Sequence, residues 1–504
     1  MTDQPKRTDM TQQAISLGAR IRQLADEAPD RVALQFFPSA GPPRDFTYRD
    51  LDSWSDQVAT LLEEHGVRAG QRVAIGLHNS PEHVVAALGA WKIGAGIVTM
   101  RWDVPTWERN RLIDVTHPAL MLSDHDEAES NGVPVIAISH AKDTLARRVD
   151  IHVPVQPMAI PTGGSTGASK AVVLPVPGEI VPGTIFDGFL AMFGISPITS
   201  HIIMGPLYHS NPLIMMHCGL FDGQQMLLME KFDSQQLVDI IAECRPQFMT
   251  LVPTMMRRLL DLPDIAEVDW SSFHMILHGT APCPEWLKRR WIDLVGPTRL
   301  WETFASSELV GSLIIRGDEW LAHPGTIGRP APGTELRILD EDLQEVAPGV
   351  VGEIYMRQAG LEKPLFDYLG KDRPKIVDGG FVSVGDLGRM DADGYVYSAD
   401  RKGDLIISGG ANVVPAEVEA ALGEHPAVAD VVVVGIRDED WGQRVHAVVQ
   451  LRKTEPAPSA EGLREFAKAR LSSYKVPKTI EFLDELPRSD MGKIRRSALA
   501  AERS

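Results

Sequence analysis

Cysteine is scarce in this sequence, and the few cysteines are far apart. Cys218, Cys244 and Cys283 are the only three among 504 residues. They form neither the close pairs that bind zinc nor the dense, even-numbered set that cross-links a small secreted domain. The scarcity excludes a disulfide scaffold and predicts a protein of a reducing compartment.

Long apolar runs are also missing. No stretch approaches the roughly 20 apolar residues that a membrane-spanning helix needs. Residues 1–10 are polar and lack the apolar core of a secretory signal. We therefore expect a cytoplasmic protein with no membrane span.

Positive charge is in deficit. The chain has 50 Lys and Arg against 68 Asp and Glu, which gives a formal net charge of −18. A nucleic-acid partner needs a basic face, so this balance argues against one, although it allows local basic pockets for small anions. With 44% hydrophobic residues over 504 positions, the chain can build large cores in about two to four domains.

One ten-residue segment, Pro161–Lys170, is crowded with glycines, hydroxyl groups and a lysine. Glycine lets backbone N–H groups approach a ligand closely, hydroxyls add hydrogen-bond donors, and the lysine adds a positive charge. These are the groups of a phosphate-binding loop. Its candidate residues are Thr162, Gly163, Gly164, Ser165, Thr166, Gly167 and Lys170.

Three other interpretations of this segment compete. A P-loop needs glycine directly before the lysine and Ser or Thr after it, but Ser169 and Ala171 stand there. Gly163–Gly167 fits the pattern G-x-S-x-G of a serine hydrolase, with Ser165 as nucleophile. That nucleophile must lead into a helix, whereas the β-branched residues after Lys170 predict a strand. A flexible Gly/Ser linker is the third interpretation.

Helix and strand patterns alternate through the first 400 residues, which is typical of parallel α/β sheets. From about Thr326, short strands between Gly/Pro turns predict a small β-rich subdomain. A charged break at 400–404 then precedes a compact unit of mixed strands and helices. We predict an α/β fold with a large N-terminal domain of parallel-rich α/β sheets and that subdomain, residues 1–400. A small α+β C-terminal domain, residues 401–504, follows it.

Two further segments follow predicted strands of the large domain. Gly279–Ala281 is a turn of small residues with room for a flat ring at the carboxyl end of a strand. Phe304–Glu308 offers an aromatic face, a hydroxyl and a carboxylate, the last being a typical ligand for Mg²⁺. The alternatives are an ordinary strand-to-helix turn for the first, and for Glu308 a carboxylate in the first turn of a helix.

Two more segments carry single charged candidates. Asp386 follows the apolar strand Phe381–Val384 and can hold the hydroxyls of a ribose, unless it is only a turn residue. Lys493 ends the turn-rich stretch Pro487–Lys493 and can reach a distant site from a mobile loop. The alternative for this lysine is a solvated surface charge.

Taken in order, these segments resemble those of the adenylate-forming superfamily, which includes acyl-CoA synthetases, luciferase and the adenylation domains of peptide synthetases. The resemblance covers nearly the whole chain and is greatest to the acyl-CoA synthetases. Arg401 and Leu405–Glu419 match a further segment of that family. The chain departs from the family pattern at Ser169, where proline is usual, and at Ala305, where glycine is usual.

The resemblance implies an ATP-dependent acid–CoA ligase that uses ATP, Mg²⁺ and CoA. It would convert a carboxylic acid to acyl-AMP with release of pyrophosphate and then transfer the acyl group to CoA. The implied site residues are Thr162–Lys170 for the β- and γ-phosphates; Gly279, Thr280, Ala281 and Phe304 for adenine; Ser307 and Glu308 for phosphate and Mg²⁺; Asp386 and Arg401 for the ribose; and Lys493 as the catalytic bridge between the acid and the α-phosphate.

The same resemblance implies a second half-reaction that needs a rotation of the C-terminal domain. The hinge would be Gly403, where Asp or Lys is usual in the family. Glycine permits such a rotation because it has wide backbone freedom. Ser408, Gly409 and Gly410 would then approach the pantetheine of CoA.

The acid is only partly constrained by the sequence. Leu207–Ser210 resembles the family's segment in which an aromatic–His pair gates the acid pocket, which makes His209 a catalytic candidate. Met215, Met216 and residues 309–313 either line that pocket or belong to the core. Such an apolar wall favours an apolar or bulky acid, since methionine adapts to irregular shapes. No charged partner for an α-amino group is evident, which argues against an amino-acid substrate.

Two rival functions stay open at this point. The first is an adenylating enzyme whose acceptor is a carrier protein, an amine or another small nucleophile instead of CoA. The second is a binding protein that has lost activity, against which the presence of Glu308, Asp386 and Lys493 argues. The expected partner is a small carboxylic acid, and the resemblance allows a homodimer.

Overall fold

A computed structural model of the chain describes residues 14–163, 169–181, 198–370, 373–401, 404–408, 410–452, 457–489 and 492–503. These residues divide into two compact units. The first unit draws on Met1–Thr162, Ser169–Lys231 and Phe366–Asp372. The second draws on Gly163–Ala168, Phe232–Leu365 and Arg373–Ser504.

The β-strands, in chain order, are β1 (Ile15–Ser16), β2 (Val32–Phe37), β3 (Arg44–Thr47), β4 (Arg72–Gly76), β5 (Gly96–Thr99), β6 (Leu120–Ser123), β7 (Glu127–Ser130), β8 (Val133–Ala137), β9 (Met158–Gly163), β10 (Ser169–Val173), β11 (Glu179–Ile180), β12 (Ser200–Ile203), β13 (Gln225–Met229), β14 (Phe248–Leu251), β15 (Met275–Gly279), β16 (Leu300–Ala305), β17 (Ser312–Arg316), β18 (Arg329–Pro330), β19 (Thr334–Leu339), β20 (Gly352–Gln358), β21 (Asp367–Leu369), β22 (Lys375–Val377), β23 (Phe381–Met390), β24 (Val396–Arg401), β25 (Ile406–Ser408), β26 (Ala411–Val413), β27 (Val428–Asp438), β28 (Gly442–Leu451) and β29 (Thr479–Leu483).

The α-helices are α1 (Leu17–Glu27), α2 (Tyr48–Glu64), α3 (Pro81–Lys92), α4 (Thr106–Thr116), α5 (Ser210–Phe221), α6 (Ser234–Cys244), α7 (Pro253–Leu260), α8 (Glu285–Val295), α9 (Gly317–Ala322), α10 (Pro415–Gly423), α11 (Ala460–Lys468) and α12 (Arg496–Ala501). Short 3₁₀ segments cover Ile138–Lys142, Ile265–Glu267 and Trp270–Ser272. Within the described residues, no α-helix combines the length and the apolar character needed to cross a lipid bilayer.

The first unit contains a sheet in the order β21-β10-β9-β5-β4-β6-β8-β7. Its central pairs are parallel, and β10–β21 and β7–β8 at its two ends are antiparallel. A second group runs β12-β13-β2-β3, with β3 as an antiparallel end strand. Nearly every residue of α3 and of α5 is buried, which explains why both helices are mostly apolar rather than amphipathic.

The second unit contains three groups of strands. Strands β14, β15 and β16 are parallel neighbours, and β17 and β18 continue antiparallel from β16. An antiparallel sheet follows in the order β19-β20-β23-β22, with β24 paired to β23. The last sheet runs β26-β25-β28-β27, with β29 parallel to β28. Its valine-rich strands pack their buried side chains with those of α10 and α11.

Several helices begin where the sequence supplies an N-terminal cap. Thr47 and Asp50 form a capping box at the start of α2, in which each side chain accepts from the other's backbone N–H. Ser80 caps α3, whose first residue is Pro81, and its side chain accepts from His83 N. Asp233 caps α6, and its side chain accepts from Gln236 N. Such caps satisfy N–H groups that the helix itself leaves without partners.

The predicted fold class is confirmed, with helix–strand alternation and a β-rich segment in the expected places. The sequence pattern predicts strands at Phe248–Leu251 and Thr479–Leu483, and both strands have those bounds. The apolar spacing of residues 14–27 predicts an amphipathic helix from residue 14. This helix begins instead at Leu17, because Ser16 caps it by accepting from Ala19 N. The division into residues 1–400 and 401–504 stays a prediction.

Candidate active site

Three neighbouring parallel strands of the second unit end at one edge of their sheet. The last residues of β14, β15 and β16 are Leu251, Gly279 and Ala305. Because parallel strands present their carboxyl ends together, the segments that follow them also gather there. Two of these are the predicted adenine turn and the predicted Mg²⁺ segment, so the sheet brings both to one edge.

The turn after β15 is fixed by backbone contact. A Cβ added at Gly279 would lie 2.4 Å from the carbonyl oxygen of Thr303 on β16, so only glycine fits. The next residue, Thr280, has φ +73, which a β-branched residue adopts only under strain. Backbone strain of this kind collects at ligand sites. The sequence prediction placed Phe304 beyond its strand; β16 in fact extends to Ala305, because β17 returns antiparallel and pairs with Phe304 through Leu313.

The turn after β16 carries Glu308, whose side chain is buried. The alternative interpretation of Glu308 as a first-turn helix residue is wrong, because 306–311 form a turn between β16 and β17. Gln358 Nε2 donates to Leu309 O at 2.8 Å and holds this turn. The buried Ser306 Oγ has no hydrogen-bond partner in the described structure. A hydroxyl and a carboxylate at a strand end are suitable ligands for phosphate oxygens and Mg²⁺.

Asp386 lies inside a strand and not after one. The sequence prediction ended the strand at Val384, but β23 continues to Met390. Gly385 has φ +89, so the strand is distorted at this point without ending. Asp386 is buried and faces Arg401 of β24 across the pair, which brings the two predicted ribose residues together.

A short relay of hydrogen bonds supports this distortion. Gly385 N donates to Ser383 Oγ at 3.0 Å, and Ser383 Oγ donates to Glu353 Oε1 at 2.6 Å. Lys375 Nζ donates to the other oxygen of Glu353 at 3.1 Å. The neighbouring Tyr355 and Glu353 side chains raise the pKa of Lys375 and keep it charged. The relay therefore anchors the residue immediately before Asp386.

A buried charged cluster beneath the adenine turn was not predicted from the sequence. His278, the residue before Gly279, pairs in register with Glu302 on β16. Glu302 forms a buried ion pair with Lys288 of α8, whose Nζ lies 4.7 Å from the ring centre of Trp320. Burial, reinforced by the charge of Lys288, holds the pKa of His278 well below 6.5. His278 is therefore neutral, and its position in an apolar strand was the one sequence signal for it.

The segment that carries Lys493 reaches the same sheet edge. Ser489 N donates to Lys493 O at 2.8 Å, and Lys493 N donates to Ser489 Oγ at 3.1 Å, which closes a tight loop. Within it Gly492 has φ +69, and a Cβ there would lie 2.6 Å from Thr254 Oγ1. Thr254 stands at the start of α7, just after β14. The exposed Lys493 therefore belongs to a loop packed at the carboxyl edge of β14.

In the first unit, Thr162 and Lys170 flank the glycine-rich loop. Thr162 is at the end of β9, and its Oγ1 is buried with no hydrogen-bond partner in the described structure. The ammonium of Lys170 lies 3.9 Å from the ring centre of Tyr368, a cation–π contact that orients it. Strand β10 follows the loop, as predicted, so the helix required by the hydrolase interpretation of Ser165 is absent from 169–173.

His209 immediately precedes α5 and is partly buried against Tyr208, with ring centres 4.5 Å apart. The preceding segment is held by Asn79, which sequence reasoning missed. Asn79 Nδ2 donates to Gly205 O at 2.9 Å and its Oδ1 accepts from Leu207 N at 2.7 Å. The sequence signal was an amide side chain directly before Ser80, the residue that caps α3. Asn79 thus positions the backbone that leads to His209.

The other predicted residues include Ser408 and Gly410 of the predicted CoA site and the two methionines of the predicted acid pocket. Ser408 is buried in β25 and pairs with Gly442, and Gly410 has φ +79 with open space where a Cβ would be. Met215 and Met216 are buried in α5. The positions that lie outside the described residues are Gly164, Ser165, Thr166, Gly167, Gly403 and Gly409.

Comparison with known proteins also assigns this chain to a family of AMP-binding enzymes. AMP-binding enzyme sequences match residues 21–365, and the AMP-binding enzyme C-terminal domain matches residues 417–493. Indoleacetate–CoA ligase of Aromatoleum aromaticum is 29% identical over 93% of this chain and 94% of that protein.

Solved structures agree with these sequence matches. The o-succinylbenzoate CoA synthetase of Bacillus subtilis, in complex with its acyl-adenylate intermediate, superposes with a TM-score of 0.81 at 26% identity, covering 97% of this chain and 98% of that one. The same enzyme with ATP and a magnesium ion gives a TM-score of 0.80 at 26% identity, over 97% and 100% of the two chains. The chain described here belongs to the AMP-binding enzyme family, the adenylate-forming enzymes.

Proposed function

We propose that this protein is an ATP-dependent acid–CoA ligase. It activates an apolar or bulky carboxylic acid as acyl-AMP and passes the acyl group to CoA. The observation that carries the proposal is the single sheet edge that gathers the Gly279–Thr280 turn, the buried Glu308 and the loop of Lys493. The similarity to acid–CoA ligases over nearly the full chain supports it.

The nucleotide roles are assigned to groups whose local structure suits them. The tight turn at Gly279–Ala281 and the ring of Phe304 would enclose the adenine. Asp386, with Arg401 opposite it in the neighbouring strand, would accept from the ribose hydroxyls. The hydroxyls of Thr162 and Ser307, with Lys170 and the glycine-rich loop, would contact the phosphates. Hydroxyls and N–H groups suit this work because they donate to phosphate oxygens.

In the first half-reaction the acid's carboxylate oxygen bonds to the α-phosphorus, and the bond from that phosphorus to the pyrophosphate oxygen breaks. Two anions must approach each other, so the ammonium of Lys493, placed between them, would lower the barrier. Glu308 would hold Mg²⁺, which neutralises the departing pyrophosphate when bound.

In the second half-reaction the thiol of CoA attacks the acyl carbonyl carbon, and AMP leaves with the electron pair of the broken acyl–phosphate bond. The thiol proton passes to solvent. Ser408 and Gly410, at the turn between β25 and β26, would contact the pantetheine. Residues 1–400 and 401–504 would act as two domains that rotate about Gly403 between the two steps.

The proposed acid is apolar because the helix behind His209 is apolar. Every residue of α5 from Pro212 to Phe221 is buried, and these include Met215 and Met216. His209 stands at the start of this helix and would gate the entry of the acid.

We place the protein in the cytoplasm, since none of its three cysteines, all in the described part of the chain, forms a disulfide. Sedimentation of the purified protein tests for a homodimer.

The test is ATP–pyrophosphate exchange with a panel of fatty, aromatic and polycyclic carboxylic acids. We expect exchange with at least one acid in the absence of CoA, and acyl-CoA with AMP when CoA is added. If ATP–pyrophosphate exchange occurs but no acyl-CoA forms, and the acyl group passes instead to an amine or a carrier protein, then CoA is not the acceptor. No exchange with any acid in the presence of Mg²⁺ would overturn the proposal.

A further inference from the structure

One face of α7 is the docking surface for the C-terminal part of the chain. Arg257 is three residues after Thr254, and Asp261 is four residues after Arg257. At this spacing the three side chains form one stripe along α7 and just beyond its end. Thr254 packs on Gly492, and Asp261 forms an ion pair with Arg452. Arg257 lies between these contacts and reaches β27.

Arg257 makes the most buried of these contacts. Its Nη1 donates to Ala429 O at 2.6 Å and to Asp430 Oδ1 at 3.1 Å. A register shift in β27 between Val428 and Asp430 presents this carbonyl and carboxylate to the helix. Burial lowers the pKa of Arg257, and the charge of Asp430 opposes that shift. This partly buried guanidinium is therefore compensated by neighbouring carboxylates, chiefly that of Asp430.

The same carboxylate is connected to the Lys493 loop. Arg488 donates to Asp430 through Nε at 2.5 Å and through Nη2 at 3.0 Å. Its Nη1 donates to Gly492 O at 2.8 Å, the residue before Lys493. Asp430 thus accepts from Arg257 on one side and from Arg488 on the other, and the chain of contacts runs from α7 to the catalytic loop.

We propose that Arg257 and Asp430 are positioning residues for the first half-reaction. They hold the Lys493 loop against α7 and so stabilise the arrangement in which the acid is adenylated. This inference rests on the proposed function and adds to it the residues that set the balance between the adenylating and thioester-forming arrangements. Neither residue touches the substrates; both act through the place they give to Lys493.

The first test is Arg257→Gln, assayed separately for the two half-reactions. We expect the rate of adenylate formation to fall about tenfold or more, since Asp430 then keeps Arg488 but loses the charged partner that ties it to α7. Thioester formation from supplied acyl-adenylate and CoA should stay within about twofold of wild type. The KM for ATP should change less than kcat, because the adenine turn is untouched.

The matched control is Arg258→Gln. Arg258 is the next residue of the same helix, but its side chain is exposed. It should leave both half-reactions unchanged. If Arg257→Gln matched wild type, or lowered both half-reactions equally at an unchanged melting temperature, the inference would be overturned.

A second measurement tests the inference without the Arg257→Gln variant, in case that variant folds poorly. Asp261→Cys with Arg452→Cys, joined by a short bismaleimide, fixes α7 to the C-terminal part without altering Arg257 or Asp430. We expect the cross-linked enzyme to keep ATP–pyrophosphate exchange and to lose thioester formation. Thioester formation at the wild-type rate would contradict the inference. Failure of the proposed function is distinguishable, because wild type itself would then show no exchange.

Discussion

The turn at Gly279–Thr280 and the Lys493 loop meet the same sheet edge but are held there by different forces. Gly279 and Thr280 are fixed by the backbone, because β15 and β16 are hydrogen-bonded in register and approach too closely for a side chain. The Lys493 loop is held by side chains, chiefly Arg257, Asp430 and Arg488. A turn built into a sheet cannot leave without unfolding it, whereas a loop held by a few ion pairs can. This difference suits a reaction that needs the nucleotide site throughout and the lysine in one step.

The largest effect should come from Lys493→Ala. We expect adenylate formation to fall by about 10²–10³-fold or more, the range for loss of one group that stabilises developing charge. Thioester formation from supplied acyl-adenylate should be largely spared. Single-turnover assays of the two half-reactions measure both.

Lys468→Ala is the control, because Lys468 is an exposed lysine of the same C-terminal region. Equal loss of both half-reactions in Lys493→Ala, with the fold intact, would show that this lysine does not act in adenylation alone.

The second prediction concerns the backbone-built turn. Gly279→Ala places a methyl group 2.4 Å from Thr303 O, so β15 or β16 must shift. We expect a loss of about 1–3 kcal/mol in the free energy of unfolding, as for other overpacked sites, together with a higher KM for ATP. Urea unfolding and initial rates at varied ATP test this.

Gly462→Ala is the control, since a Cβ there meets only Ser459 Oγ, at 3.4 Å. Gly492→Ala sharpens the comparison: it should slow adenylation by moving the loop off Thr254 and leave the KM for ATP nearly unchanged. A higher KM for ATP in Gly492→Ala than in Gly279→Ala would reverse our assignment of the two regions.

The third prediction is that Asp386→Ala raises the KM for ATP about tenfold, the cost of hydrogen bonds between a carboxylate and hydroxyls. The KM for the acid should change much less, because the role proposed for Asp386 is to bind the ribose. Initial rates with each substrate varied in turn provide the measurement. An equal rise in both values would argue against a ribose contact.

The last prediction concerns the pH dependence of stability. His278 stays neutral in the folded protein because its pKa is lowered, while in the unfolded chain it gains a proton below pH 6.5. Stability is therefore lost as pH falls below 6.5, by about 2 kcal/mol between pH 7 and pH 5 for one such histidine. His278→Leu should remove that part of the loss, as measured by urea unfolding at both pH values.

The control is His125→Leu, at an exposed histidine, measured at the same two pH values. An unchanged loss in His278→Leu would mean that His278 is protonated in the folded state. Water would then reach the strand end at His278 and Gly279 more readily than the burial of His278 indicates.

Local patterns predicted much of the fold because they reflect the burial of regular elements. The apolar run Phe248–Leu251 and the helically spaced apolar residues of α2 are examples in which a short segment contains its own signal. Prediction failed where a distant strand decides the outcome. Glu308 resembled the start of a helix, but the antiparallel return of β17 makes it part of a turn. Asp386 resembled a turn residue, but β24 continues the pairing past Gly385.

The sequence by itself determined the family, the order of the elements and the chemical groups of the candidate site, because glycines, hydroxyls, carboxylates and a terminal lysine stand in family order. Only the tertiary structure decided how those groups are held. Arg257 and Asp430 are far apart in the chain, and nothing local to either marks their contact. Ion pairs of this kind form when packing removes two charges from water together, and that condition exists only in the folded protein.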